Sequence, residues 1–145
     1  MKSGFVSLIG KPNAGKSTLT NTIVGEKVSI VSWKPQTTRN KILGILSGDD
    51  YQLIIVDTPG MHKAKNALSK FMMKSVESGQ DGVEVIVYVM AMDKRLDEHD
   101  LQYINKYAAE STPFIVALNK CDEVEQSAIL ERITALKDIQ GIDSI

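Results

Sequence analysis

Cysteine is nearly absent from this chain of 145 residues, in which Cys121 is the single thiol. One thiol excludes an internal disulfide framework and a zinc site built from several cysteines. Long apolar runs are also absent, because the longest, Val85–Met92, is far too short to span a bilayer. No signal peptide is recognisable, since the short apolar run Phe5–Ile9 leads at once into glycine, lysine and proline. We therefore expect one domain in a cytoplasmic location.

An excess of charge of either sign is lacking too. Seventeen Lys and Arg against eighteen Asp and Glu give a net charge of -1, so the chain as a whole has no electrostatic reason to bind nucleic acid or an anionic membrane. Hydrophobic residues make up 43% and charged residues 24%, as in folded globular proteins rather than disordered ones. Any function must therefore come from local motifs.

Predicted strands and helices alternate along the chain, apart from one hairpin around the polar residues 47–50. This alternation predicts an α/β fold, with a mostly parallel sheet, one antiparallel hairpin strand and helices on both faces. The predicted helices are Ser17–Val24, one from Leu68, one marked by Leu101–Ala108 that ends near Ser111–Pro113, and one around Ile129–Leu136. The predicted strands are Phe5–Ile9, Ile42–Leu46, Tyr51–Val56, Val83–Ala91 and Phe114–Leu118.

A glycine-bounded segment follows the first predicted strand. GKPNAGKS, residues 10–17, has two glycines with four residues between them, then Lys and Ser, which is the pattern of a phosphate-binding loop. Glycines let the backbone wrap closely around an anion, and the helix that follows adds its positive N-terminal end. In this pattern Lys16 reaches the β- and γ-phosphates and the Ser17 hydroxyl binds Mg²⁺. The alternative is an ordinary turn between a strand and a helix.

Two more short motifs follow predicted strands. DTPG, residues 57–60, begins with a carboxylate suited to a Mg²⁺ shell, and Gly60 can bring its backbone N–H close to a γ-phosphate; a plain Pro-Gly turn is the alternative. NKCD, residues 119–122, ends in a carboxylate that can accept two hydrogen bonds from guanine, whereas adenine leaves it unpaired. Because burying unpaired polar groups is costly, such a contact discriminates strongly between bases.

The segment SWKPQTTR, residues 32–39, has no hydrophobic period, and Pro35 disfavours a helix there. A hydroxyl near its end can complete a Mg²⁺ shell. Taken in order, GKPNAGKST, SWKPQTTR, DTPGMH and NKCD resemble the bacterial Era family of translation-factor-related GTPases over residues 4–145. The KPQTTR element distinguishes the chain from TrmE-type relatives.

This resemblance implies a Ras-like, P-loop G domain that binds GTP with Mg²⁺ and hydrolyses it slowly to GDP and phosphate. It also implies a role in assembly of the small ribosomal subunit with its 16S rRNA, and peripheral membrane association for longer family members. The implied metal ligands are Ser17, Asp57 and Thr38, with Thr37 as the alternative, and the implied catalytic residues are Lys16, Thr38, Gly60 and Asn13. The implied nucleotide-binding residues are Gly10, Asn13, Ala14, Gly15, Lys16, Ser17, Thr18, Asp57, Gly60, Asn119, Lys120 and Asp122.

Met61 stands where Ras-type enzymes have a water-orienting glutamine. A thioether cannot orient water, so the resemblance implies a glutamine-independent mechanism in which K⁺, held with help from Asn13, supplies positive charge near the phosphates. We interpret His62 and His99 as solvated. Met61 mildly favours the alternative function, a nucleotide-gated binding module with little hydrolysis, and Asp122 disfavours an ATPase.

We expect residues 1–145 to be one Era-type G domain that is incomplete at its C-terminus. Era-like proteins continue into another strand, a Ser-Ala loop over the guanine, a last helix and a KH-type RNA-binding domain, and none of these follows Ile142–Ile145. Loss of that strand is expected to uncover an apolar edge beside Phe114–Leu118, which predicts poor stability and a tendency to associate.

Overall fold

Strands and helices alternate as predicted in the computed structural model, which describes residues 2–25, 41–57 and 83–145. The helix predicted from Leu68 lies outside these residues. β1 begins at Lys2 rather than Phe5, because residues 2–4 pair with the start of the third strand. The elements are β1 (Lys2–Gly10), α1 (Lys16–Val24), β2 (Lys41–Ser47), β3 (Tyr51–Asp57), β4 (Val85–Ala91), α2 (Glu98–Ala108), β5 (Phe114–Asn119), a 3₁₀ turn (Cys121–Glu123) and α3 (Gln126–Leu136).

In the described part of the chain the strands form one five-stranded sheet, in the order β2-β3-β1-β4-β5. β1 is parallel to β3 and β4, and β4 is parallel to β5, whereas β2 is antiparallel to β3. The predicted hairpin is confirmed: the Gly48 N–H donates to the Tyr51 carbonyl at 2.9 Å and closes the turn between β2 and β3. The predicted mostly parallel sheet with one antiparallel strand is therefore confirmed.

Side chains of β4 alternate between two apolar clusters, one on each face of the sheet. Successive side chains of a strand point to opposite faces, so a strand that is apolar throughout requires cover on both sides. One cluster joins β4 to α2, β5 and α3 through Ile86, Tyr88, Met90, Ile104, Tyr107, Phe114, Val116 and Leu136. The other joins it to β1, β3 and α1 through Val89, Ala91, Leu8, Ile55, Leu19 and Val24.

The free edge of β5 is partly paired, which corrects one expectation. The Asp143 N–H donates to the Phe114 carbonyl at 2.8 Å, and the Val116 N–H donates to the Ser144 carbonyl at 3.0 Å. The Asp143 carboxylate also accepts from the Phe114 N–H at 2.8 Å. The prediction of an uncovered edge beside Phe114–Leu118 is thus wrong for the first half of that strand. The residues after α3 return to the edge and form hydrogen bonds there.

Candidate nucleotide-binding site

The three predicted motifs start from one edge of the sheet. β1, β3, β4 and β5 run parallel, so their carboxyl ends meet there, with Gly10 ending β1, Asp57 ending β3 and Asn119 ending β5. Asp57 pairs with Leu8 in the register of β1 and β3, and Asn119 pairs with Ala91. Open α/β sheets bind ligands at the carboxyl ends of their strands, so the motifs lie where a ligand is expected.

The segment 10–17 forms a tight loop between β1 and α1. Asn13 and Gly15 adopt left-handed backbone conformations, with φ of 62° and 95°. A side chain at Gly10 would place its Cβ 2.5 Å from the Val89 carbonyl oxygen, so only glycine fits against β4 there. Glycine at Gly15 similarly avoids the strain that a Cβ brings to positive φ. The predicted phosphate-loop geometry is thus present.

The N-terminus of α1 presents its backbone donors without a competing side chain. Gly15 is the N-cap and provides no side-chain cap, and the first turn contains no acidic residue. Ser17 and Thr18 in that turn are exposed. The missing side-chain cap and the helix dipole together favour an anion at this end.

Lys16 folds its side chain back over the loop. Its Nζ donates to the Gly10 carbonyl at 2.8 Å and to the Lys11 carbonyl at 3.1 Å. The Ala14 N–H also donates to the Lys11 carbonyl, at 3.2 Å. The ammonium group therefore lies across the loop, where it adds positive charge to that of the helix end.

Asn119 connects the NKCD motif to the phosphate loop. Its Nδ2 donates to the Ala14 carbonyl at 2.9 Å, although the two residues are far apart in sequence. The resemblance implied a nucleotide-binding role for Asn119, and the structure adds a positioning role. A Cβ on Gly15 would collide with the same amide nitrogen, so loop and motif are in close contact.

Lys120 and Asp122 follow Asn119 at the same edge. Lys120 has a left-handed backbone, with φ of 60°, and its Nζ lies 3.4 Å from the Asp93 carboxylate. Asp122 is exposed in the 3₁₀ turn, with its carboxylate accessible to a base. Asp93 was not predicted from the sequence. Its position shortly after β4, at the edge of the sheet that carries the motifs, could have indicated it.

A second missed group joins the loop to α2. The Lys11 Nζ contacts Asp97 at 2.6 Å and Asp100 at 2.9 Å, and the buried Tyr88 hydroxyl donates to Asp100 at 2.7 Å. The hydrogen bond from Lys11 lowers the pKa of Asp97 to about 2. Burial by itself lowers the pKa of Lys11, but the bonds to both carboxylates outweigh it and the pKa is raised. Burial and then Asp100 raise the pKa of Tyr88.

Several predicted residues lie outside the described part of the chain, namely Thr37, Thr38, Gly60, Met61 and His62. For Asp57 the structure gives the strand position, and its metal-binding role stays a prediction. Within residues 2–25, 41–57 and 83–145, no group of three or more His, Cys, Asp or Glu side chains could hold a metal ion by itself. His99 is exposed, as interpreted.

No helix in the described ranges is both long and apolar enough to cross a membrane.

Cys121 makes a local contact, from its Sγ to the Leu118 carbonyl at 3.3 Å. This contact agrees with a packing role for the thiol within the 3₁₀ turn.

Comparison with known proteins supports the resemblance stated above. The family described as "50S ribosome-binding GTPase" matches residues 5–120. The chain is 45% identical over 139 residues to GTPase Era of Clostridium kluyveri, covering 96% of this chain and 47% of that protein. It is 43% identical to GTPase Era of Clostridioides difficile, covering 97% of this chain and 48% of the relative. The chain thus spans about half the length of these relatives.

Solved structures show the same similarity. A variant of Aquifex aeolicus Era bound to GDP·AlF4⁻ has a TM-score of 0.72 and 31% identity, covering 100% of this chain and 51% of that chain. Era in complex with MgGDPNP and nucleotides 1506–1542 of 16S ribosomal RNA matches equally, with a TM-score of 0.72 and 31% identity over the same shares. The FeoB G-domain of Methanococcus jannaschii, at 23% identity and a TM-score of 0.66 over 100% of this chain and 85% of that one, shows the shared fold.

Proposed function

Because this chain belongs to the family of 50S ribosome-binding GTPases, we propose that it binds GTP and GDP with Mg²⁺ and hydrolyses GTP to GDP and phosphate. The observation that carries this proposal is the hydrogen bond from Asn119 to the Ala14 carbonyl at 2.9 Å. This bond holds the phosphate loop next to the motif for the base. A nucleoside phosphate needs both sites close together, because one ligand carries both the phosphates and the base. The relatives named Era, at about 45% identity, favour an Era-type enzyme over a TrmE-type one.

We assign the roles of the site residues from their motifs and from the geometry of the loop. The backbone of residues 10–18 and the Lys16 ammonium bind the phosphates, with the N-terminus of α1 behind them. Asn119 and Lys120 form the side of the base site, where Asp122 accepts hydrogen bonds from guanine. The resemblance to the family assigns Gly60 to the γ-phosphate.

The oxygen donors that the motifs supply fit Mg²⁺. Ser17 is exposed in the first turn of α1 beside Lys16, and its hydroxyl, the Asp57 carboxylate and the Thr38 hydroxyl are the ligand types that Mg²⁺ prefers. Thr37 is the alternative to Thr38. When bound, the ion neutralises charge on the phosphates. A solved Era structure contains MgGDPNP, which supports this assignment.

Nucleotide specificity tests the assignment of Asp122. Fluorescent GDP is bound to the chain with Mg²⁺ and displaced in turn by GTP, GDP, ATP and ADP. Displacement by the guanine nucleotides alone is expected. Asp122→Asn should weaken GDP by at least about 100-fold, because it loses charge-assisted hydrogen bonds, whereas Asp138→Asn, at an exposed site on the chain after α3, should not. Equal displacement by ATP would overturn the proposal.

Hydrolysis is expected to be slow and faster in K⁺ than in Na⁺. Asn13 is exposed on the loop with its left-handed backbone, a position from which its side chain could help to hold a cation near the phosphates. Multiple-turnover phosphate release in the two salts tests this. Asn13→Ala should lose the difference between the salts, and Asn105→Ala, exposed on α2, should keep it. Equal wild-type rates in both salts, or loss of all activity only in His62→Ala, would contradict the K⁺ mechanism.

The same assay separates the enzyme from its alternative. A nucleotide-gated binding module would bind GTP but release phosphate for at most one turnover. Met61 cannot orient water, but the relatives named Era do not favour that alternative. Repeated turnover would exclude it.

A ribosomal role rests on the relatives, of which this chain spans about half. The solved Era complex contains nucleotides of 16S rRNA, so we propose that the protein acts in assembly of the small ribosomal subunit in the cytoplasm; peripheral membrane association stays a prediction of the resemblance. Sedimentation with small subunits should depend on whether GTP or GDP is bound. Binding that is identical in both nucleotide states would contradict a GTP-controlled role.

A further inference from the structure

Lys11 links the phosphate loop to the start of α2 through two carboxylates. Its ammonium lies 2.6 Å from Asp97 and 2.9 Å from Asp100. These two residues form the capping box of α2, in which the Asp97 side chain accepts from the Asp100 N–H at 2.9 Å and the Asp100 side chain accepts from the Asp97 N–H at 3.1 Å. Lys11 is therefore bound to a helix end that is already hydrogen-bonded.

The far side of this link reaches the centre of the sheet. The Asp100 side chain is only 5% exposed, and its second oxygen accepts from the Tyr88 hydroxyl at 2.7 Å. Tyr88 is fully buried in β4. The chain of contacts from Tyr88 to Asp100 to Lys11 thus connects the loop to the buried core on the sheet.

Apolar packing does not fill the space between the loop and α2. A pocket of about 60 Å³ lies there, lined partly by Pro12, Asn13 and Arg95. The outer half of the loop therefore depends on polar contacts to hold its position. A loop that directs N–H groups at an anion has few internal bonds of its own, so external contacts must preorganise it.

The charges around Lys11 exclude a simpler role as a positive charge for the phosphates. Two carboxylates oppose one ammonium at hydrogen-bonding distance, so the group as a whole carries no positive excess. Resting on the proposed nucleotide-binding function, we infer that Lys11 is a positioning residue. It anchors the phosphate loop to α2, and this anchor slows the release of bound nucleotide.

The test measures release of fluorescent GDP from the 145-residue chain when excess GDP is added. Lys11→Met should release GDP about tenfold faster, the scale of one charge-assisted hydrogen bond, and Lys11→Arg, which keeps charge and donors, should restore most of the difference. Lys137→Met removes an exposed lysine at the end of α3 and should change nothing. Equal release from Lys11→Met and wild type would overturn the inference.

Asp97→Asn distinguishes an anchoring role of this ion pair from a simple effect of charge near the phosphates. The two roles predict opposite changes in the rate of GDP release. Asparagine caps a helix as well as aspartate does, so α2 should stay intact while the ion pair loses its charge. Anchoring predicts faster GDP release, by about threefold, as one of two carboxylate contacts weakens. Removal of a negative charge near the phosphates predicts slower release. Slower or unchanged release would overturn the inference. If Lys11→Met does not fold, Asp97→Asn alone tests the anchoring role.

A measurement without nucleotide separates this inference from the proposed function. Amide hydrogen exchange of residue 11 and residues 13–16 in the nucleotide-free chain should be faster in Lys11→Met than in wild type, while exchange in β4 stays the same. If wild type binds no guanine nucleotide, the proposed function fails, and the exchange result still decides the anchor. Unchanged exchange in the loop would refute it.

Discussion

Replacement of Gly15 by alanine perturbs the site at the point where the two nucleotide motifs meet. Gly15 combines a left-handed backbone, with φ of 95°, and direct contact with Asn119. An added Cβ would overlap the Asn119 amide nitrogen, which donates to the Ala14 carbonyl at 2.9 Å. The substitution therefore strains the backbone and displaces a hydrogen bond together.

The expected magnitude has two parts. A left-handed conformation costs a non-glycine residue about 1–2 kcal/mol. Ala14 as a residue is 3% exposed. Displacing Asn119 leaves the carbonyl of this buried residue without that partner, at a cost of about 1–3 kcal/mol. Gly15→Ala should therefore lower the free energy of unfolding by about 2–5 kcal/mol, a large share of the roughly 5–15 kcal/mol typical of a folded domain.

Gly25→Ala is the matched control for the backbone part. Gly25 ends α1 with φ of 73°, and a Cβ there would meet nothing within 4 Å. Urea denaturation of both variants isolates the contact with Asn119 as the difference between them, expected at about 1–3 kcal/mol. Gly15→Ala should also weaken GDP binding, and Gly25→Ala should not. Equal losses of stability in the two variants would refute the reasoning that the Asn119 contact matters.

Two further predictions concern the core and the ion pair. Leu136→Ala, at a side chain with 0% exposure, should cost about 2–5 kcal/mol of unfolding free energy, whereas Leu130→Ala, 58% exposed on the same helix, should cost little; similar urea midpoints would contradict this. NMR titration of Asp97 should give a pKa of about 2, because Lys11 hydrogen-bonds the ionised carboxylate. The pair therefore stabilises the fold fully above pH 3.8, the ordinary value, and this contribution is lost as the pH falls through about 2. In Lys11→Met the pKa should return towards the ordinary value, and an unchanged pKa would contradict the assigned cause.

The phosphate loop and NKCD could be predicted from sequence because each is a local pattern. Two glycines at fixed spacing require a particular backbone, and the structure has Gly15 in the left-handed conformation that the loop needs. The uninterrupted apolar run of β4 likewise fits a strand covered on both faces, as its two core clusters show. Local pattern and fold agree wherever neighbouring residues alone determine the conformation.

The contacts between motifs could not be predicted in this way. Asn119 binds the Ala14 carbonyl and Lys11 binds Asp97. In each case at least three strands of the sheet separate the two partners along the sequence. The segment Lys-Pro-Asn, residues 11–13, has no feature that predicts an ion pair. The carboxylate partners of Lys11 are known only from the fold, in which α2 lies against the loop. The return of Asp143 and Ser144 to the edge of β5 has the same cause, since it depends on where the end of α3 places the chain.

The contacts that hold the phosphate loop share one chemical property, which explains their residue types. Asn119 donates to the Ala14 carbonyl, Lys16 donates to the carbonyls of Gly10 and Lys11, and Lys11 donates to carboxylates outside the loop. Each of these side chains is a donor, and each acceptor is a carbonyl or a carboxylate. An acidic side chain in any of these places would instead accept from the backbone N–H groups and compete with the anion for them. Amide and ammonium side chains can therefore fix the shape of the loop without occupying the donors that it presents to a phosphate.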